Sequence, residues 1–139
     1  MLALQLQQQL KNLNELQASL EEEKRCLTEK DFSAFNDILF NKQKLLQNIA
    51  NTDKQISTEK NLTIISKDDQ LSQAKESLEN QLRDCQKLNA INGRLVELNM
   101  KSNKHLMQLM TQATGKNSVT YNQKGLLKGG QLLGKNIQA

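Results

Sequence analysis

Apolar residues return every three or four positions through most of this chain, and proline is absent from it. That spacing is the period of one helix face. In the first segment, Leu6, Leu10, Leu13, Leu16, Leu20 and Leu27 share a face, predicting a helix over about 2–29. Phe35, Ile38, Leu39, Lys42, Leu45, Leu46 and Ile49 step in the same way and predict a second helix over about 32–57. The longest stripe runs through Leu71, Ala74, Leu78, Leu82, Cys85, Leu88, Asn92, Leu95, Leu98, Ser102, Leu106 and Leu109. It predicts one continuous helix over about 67–113, with the Asp68–Ala113 stretch roughly 65–70 Å long at 1.5 Å per residue. A helix of that length must lie against other long helices or against a partner.

The junctions carry turn and cap chemistry. Asp31, between Lys30 and Phe32, reads as the cap of the second helix or as a kink in a continuous one. The pattern weakens between Asn51 and Lys67, the best place for a chain reversal, and Ser66 with Asp69 resembles a capping box opening the third helix. Gly115 is a stop signal, and five of the six glycines lie from it onward. The expected architecture is all-α: an antiparallel bundle or hairpin of long coiled-coil-like helices with a flexible C-terminal tail. The helical domain is expected over 1–115 and the tail over 116–139.

Composition narrows the function classes. Four aromatic residues, none of them Trp, argue against a thick core built around a pocket. The net charge of +4 comes from Lys116, Lys124, Lys128 and Lys135, because residues 1–115 carry equal numbers of basic and acidic side chains. A few tail lysines with one aromatic are a weak basis for nucleic-acid binding, and none is expected. Cys26 and Cys85 stand far apart in no CxxC spacing and read as small buried hydrophobes in a reducing compartment. Neither a signal peptide nor a membrane span is legible, so a cytoplasmic location is expected.

Catalytic constellations are missing from the pattern. His105 is the single histidine, short of the three or four convergent ligands a metal site needs. The tail glycines form no phosphate-binding loop. Glu21, Glu22 and Glu23, followed by Lys24 and Arg25, read as a solvated helix surface. No enzyme activity, metal or cofactor is expected.

Two stretches break the apolar rule or exceed it. Asn92 falls within the third stripe and is followed by Gly93; the pair reads either as a register-setting polar residue with close packing, or as part of a binding site. Met100, Met107 and Met110 join Leu95, Leu98, Leu106 and Leu109 in an apolar strip that suits docking of an amphipathic partner helix. A self-pairing coiled-coil adaptor is the alternative use of the same stripes. A third is binding of anionic membrane surfaces through the lysine–leucine tail.

The order of these features resembles the FlgN-type flagellar export chaperones. The resemblance is carried by the Lys30-Asp31-Phe32 junction, Lys44-Leu45-Leu46, the element around Asn89, Asn92 and Gly93, and the tail segment Thr120-Tyr121-Asn122-Gln123-Lys124-Gly125. It implies a cytosolic chaperone of type III flagellar export that binds the C-terminal segments of hook-associated, hook–filament junction proteins. Such a chaperone prevents their premature assembly and delivers them to the export gate membrane protein, with the export ATPase complex as a further partner. It also implies a substrate face formed by Leu95, Leu98, Ser102, Leu106, Leu109 and Met110, and gate docking through Tyr121. On that reading Leu106→Asp or Leu109→Asp removes substrate binding, and Tyr121→Ala spares it. Free oligomeric state and preferred junction protein stay open.

Overall fold

A computed structural model describes the backbone of residues 1–114 and the side chains of residues 1–111. Its helices are α1 (Leu2–Glu29), α2 (Phe35–Ile56), α3 (Glu59–Ser66), α4 (Asp69–Met100) and α5 (Lys104–Thr114). Three of them bury strict seven-residue repeats. On α1 the buried series is Leu6, Gln9, Leu13, Leu16, Leu20, Glu23 and Leu27. On α2 it is Phe35, Leu39, Lys42, Leu46, Ile49, Asp53 and Ile56. On α4 it is Leu78, Leu82, Cys85, Asn89, Asn92, Val96 and Asn99. A repeat of alternating three and four keeps one seam facing its neighbour over many turns, as in coiled coils.

The chain runs up, down and up. Gln9 bonds to the Ile49 carbonyl and Glu23 lies beside Lys42, so α1 and α2 are antiparallel. Contacts from Leu13 to Cys85, Leu20 to Asn92 and Leu27 to Asn99 place α4 parallel to α1. The central α1 packs along both α2 and α4.

The junctions differ from the sequence expectation in their detail. α1 ends at Lys30, whose φ of 58° is left-handed, with its N–H returning to the Cys26 carbonyl. Asp31 caps nothing in α2: its carboxylate accepts from the Ser33 N–H and hydroxyl, which makes a local turn. α2 therefore begins at Phe35 and not at residue 32, because reversing the chain takes up the residues between. The reversal near residue 60 contains a short helix, α3, capped by the Thr58 hydroxyl on the Asn61 N–H. α4 is capped by Asp68, which accepts from the Leu71 N–H, so Ser66 is not the cap.

The largest correction concerns the long third helix. It is interrupted at 101–103, and α5 is a separate element. Neither glycine nor proline causes the break. The Ser102 hydroxyl donates to the Asn99 carbonyl, and the Asn103 side chain accepts from the Leu106 N–H, capping a new helix. Short polar side chains compete for backbone groups in this way and end helices.

The core is divided in two. A proximal cluster joins Leu13, Leu16, Leu20, Leu46, Ile49, Leu78 and Leu82 with their neighbours. A distal cluster joins Cys26, Leu27, Phe35, Leu39, Val96, Leu106 and Met110. Between them sits a polar layer. Lys42 Nζ donates to Asn89 Oδ1 at 2.5 Å and lies 3.4 Å from Glu23 Oε2, and both charged side chains are 0% exposed. Asn92 Nδ2 donates to Glu23 Oε1 at 2.9 Å. Glu23 is thus a core residue, not part of the solvated surface its acidic neighbours suggest.

Candidate protein-docking face

The seam between α1 and α4 is held by a ladder that repeats every seven residues. Cys85 Sγ approaches the Leu13 carbonyl at 3.7 Å, Asn92 Nδ2 donates to Leu20 O at 2.8 Å, and Asn99 Nδ2 donates to Leu27 O at 3.3 Å. A helical carbonyl already bonded within its helix retains a second lone pair, which these donors use. Lys30 Nζ adds a bond to Asn99 Oδ1 at 3.3 Å. Asn92 therefore plays the register role, since sliding α4 by one residue would break every rung.

The ladder has a consequence for the leucines. In this half of α4 the interior positions belong to Asn89, Asn92, Val96 and Asn99. Leu88 and Leu95, placed on the buried stripe from sequence, are half-buried at its edge, and Leu98 is 62% exposed. Ile91, outside that stripe, is 45% exposed. Amides point inward and large apolar side chains outward, the reverse of ordinary patterning. Such local violations collect at functional sites.

The expected site residues separate into two groups. Leu95, Leu98 and Ser102 line or adjoin the outer face of α4, with Gly93 half-buried and Asn89 and Asn92 beneath it. Leu106 and Met110 are instead buried in the distal cluster, and Leu109 is half-buried. The break at 101–103 turns α5 so that Leu106 joins the cluster that holds Leu27, Phe35 and Val96. The strip from Leu95 to Met110 is therefore not one continuous surface. Tyr121 lies outside the described residues.

Sequence reasoning placed Lys42 on the stripe of the second helix without a partner, and gave no binding role to Ile91. The seven-residue spacing of Leu16, Leu20, Glu23 and Leu27 is the signal that places Glu23 inside. Ile91 is found by setting the strict heptad 85, 92, 99 against the leucines and reading which positions are left outside.

Both cysteines are buried as free thiols. Burial pushes the Cys85 thiol up to about 12, with Asp84 and Glu21 adding to the rise. At pH 8 Cys85 should resist iodoacetamide in the folded protein and react once urea unfolds the chain, as followed by mass spectrometry. Fast labelling of the native protein would contradict the seam. Among the described residues no group of His, Cys, Asp and Glu is placed to hold a metal ion, and no helix is long and apolar enough to cross a membrane.

The architecture is that of an all-α bundle registered by amides, with an apolar helix face left outside. The FlgN family model, described as FlgN protein, matches residues 1–129. The chain belongs to the FlgN family, whose members are flagellar export chaperones. No curated protein and no solved structure matches it.

Proposed function

We propose that this chain is a cytoplasmic chaperone that holds the C-terminal segments of hook-associated proteins and delivers them to the flagellar export gate. The observation that carries the reading is the outward apolar face of α4, with Leu98 and Ile91 exposed over a core of asparagines. A disordered cargo segment folding as an amphipathic helix buries its apolar side on Leu95 and Leu98, near Ser102 at the end of the face. Covering that side blocks premature assembly. Leu106, Leu109 and Met110 support the face from α5. Tyr121, in the segment beyond α5, docks on the gate membrane protein while the bundle holds cargo, and the export ATPase complex is a further contact.

The test is calorimetric titration with C-terminal segments of the hook–filament junction proteins from the same genome, with the flagellin C-terminal segment as control. Expected is one-site binding with a negative heat-capacity change, the mark of apolar burial. Leu98→Asp, at an exposed position, should weaken it at least about tenfold, the equivalent of 1.4 kcal/mol, without changing thermal stability. Tyr121→Ala should leave cargo binding intact and weaken capture by the gate protein. Absence of heat with every junction segment would sink the chaperone assignment of this face. Equal loss of cargo by Tyr121→Ala would end the division of labour.

A further inference from the structure

The exposed face of α4 carries a second pattern beside its apolar one. Lys87, Arg94 and Lys101, the last of them the residue that ends α4, recur at seven-residue spacing, as do Ile91 and Leu98. On a helix of 3.6 residues per turn, Lys87 lies about 40° and Arg94 about 60° around from Ile91, all on one side. The three basic residues are exposed, and none of the ion pairs among the described residues involves them. Leu88 and Leu95 border the apolar row on its other side, next to α1. The surface is therefore a leucine–isoleucine row about 10–15 Å long, flanked on one edge by a basic ridge.

Arg83, exposed and bonded to Asn80, continues the ridge at its N-terminal end. Asp84, one heptad before Ile91, puts an acid at the N-terminal end of the apolar row itself. Glu97, the one acid of α4 beyond Asp84, lies about 120° from Ile91 on the far side of the ridge; it borders Arg94 and Lys101, but no ion pair among the described residues joins it to them. Lys104 and His105, both exposed, follow at the start of α5. A neutral apolar partner would leave this ridge solvated and unused, whereas an acidic flank on the partner would face three cations in register.

We infer that this face takes an amphipathic helix whose apolar residues repeat at seven and whose neighbouring edge is acidic. The inference rests on the docking reading of the face and adds the chemistry by which cargo is chosen. A helix laid along α4 seats its apolar residues over Ile91 and Leu98, and its Asp or Glu residues one step round meet Lys87, Arg94 and Lys101. Rim charges of this kind set partner choice and association rate more than total affinity. A helix with a basic edge would be rejected by like-charge contact.

The test uses the full-length chain and two designed 21-residue helical peptides with the same heptad leucines, one edged with Glu and the other with Lys. Binding is measured by fluorescence anisotropy between 50 mM and 1 M salt. The Glu-edged peptide should bind at least about tenfold more tightly than the Lys-edged one at low salt. That preference should shrink towards 1 M, where the screening length falls to about 3 Å. The charge-reversed Lys87→Glu/Arg94→Glu/Lys101→Glu chain should invert the preference, and the Gln version at the same three positions should abolish it. All three positions are exposed, and unchanged helical circular dichroism would show that the variants fold.

Equal binding of the two peptides to the natural chain would overturn the inference. Binding to phosphatidylglycerol vesicles without discrimination between the peptides would also overturn it, assigning the ridge to an anionic membrane surface. Self-association removed by Arg94→Glu, again without peptide discrimination, would overturn it in favour of a second copy. The junction-protein segments separate this inference from the one beneath it. If they bind through Leu98 but ignore salt and charge reversal, only the acidic-edge inference fails. If they do not bind while the Glu-edged peptide does, the cargo assignment fails and the chemistry of the face stands.

Discussion

Lys42→Met, made with Glu23 in place, is expected to lower the unfolding free energy by about 3–5 kcal/mol in urea denaturation at pH 7. The substitution leaves a carboxylate inside the bundle without its cation, 3.4 Å from where Nζ stood. It also removes the donor to Asn89. Adding Glu23→Leu should return part of the loss, because the uncompensated charge goes, although the acceptor for Asn92 goes with it. The double-mutant cycle should give a coupling of about 1–3 kcal/mol, and a value near zero would show that the two residues do not act as a unit.

The same residue predicts a pH dependence. Burial pulls the Lys42 ammonium down to about 8 from its usual 10.5, and attraction to Glu23 offsets only part of that. Between pH 8 and 10.5 the unfolded chain therefore keeps a proton that the folded chain has released. Stability contributed by Lys42 should rise through that window and level off above it, by up to about 3 kcal/mol. Other lysines titrate in the same range, so the measurement is the difference between the natural chain and Lys42→Met across pH. A flat difference would show that Lys42 keeps its proton as readily folded as unfolded.

Leu106→Ala should cost about 2–5 kcal/mol, the usual range for emptying a fully buried leucine site. Leu106 is 0% exposed and joins the cluster of Leu27, Phe35 and Val96 from a helix joined to the bundle by a short turn. Part of the loss should appear as local release of α5. In hydrogen exchange the amides of Leu106–Thr111 should lose protection before those of α1. A loss below about 1 kcal/mol with unchanged protection would mean that α5 does not close the distal end. Leu106→Asp is consequently a lesion of the fold as well as of any docking surface, which is why Leu98→Asp is the cleaner probe of cargo binding.

Much of the architecture was legible in the chain alone. The absence of proline, the leucine spacing and the weak stretch between Asn51 and Lys67 were enough for an all-α bundle with a reversal before the third helix. α1 was legible nearly to the residue, because its apolar spacing and its end coincide with strong local signals. The features that resemble the FlgN family were likewise present as residues in order, and the family match bears that resemblance out.

What the tertiary structure decided was which of two interleaved seams on α4 turns inward. From sequence, the leucines at 88, 95 and 98 claim the core, since hydrophobic transfer favours them over asparagine at every position. The asparagines win because Asn92 and Asn99 donate to α1 carbonyls seven residues apart, Asn92 also donates to Glu23, and Asn89 accepts from Lys42. Those partners lie about seventy residues upstream for α1 and 47 for Lys42, so no local window contains them. For the same reason the break at Lys101–Asn103 was invisible: polar residues that cap a helix in one context ride on its surface in another. Only the distal cluster, waiting for Leu106 and Met110, makes the turn the better choice.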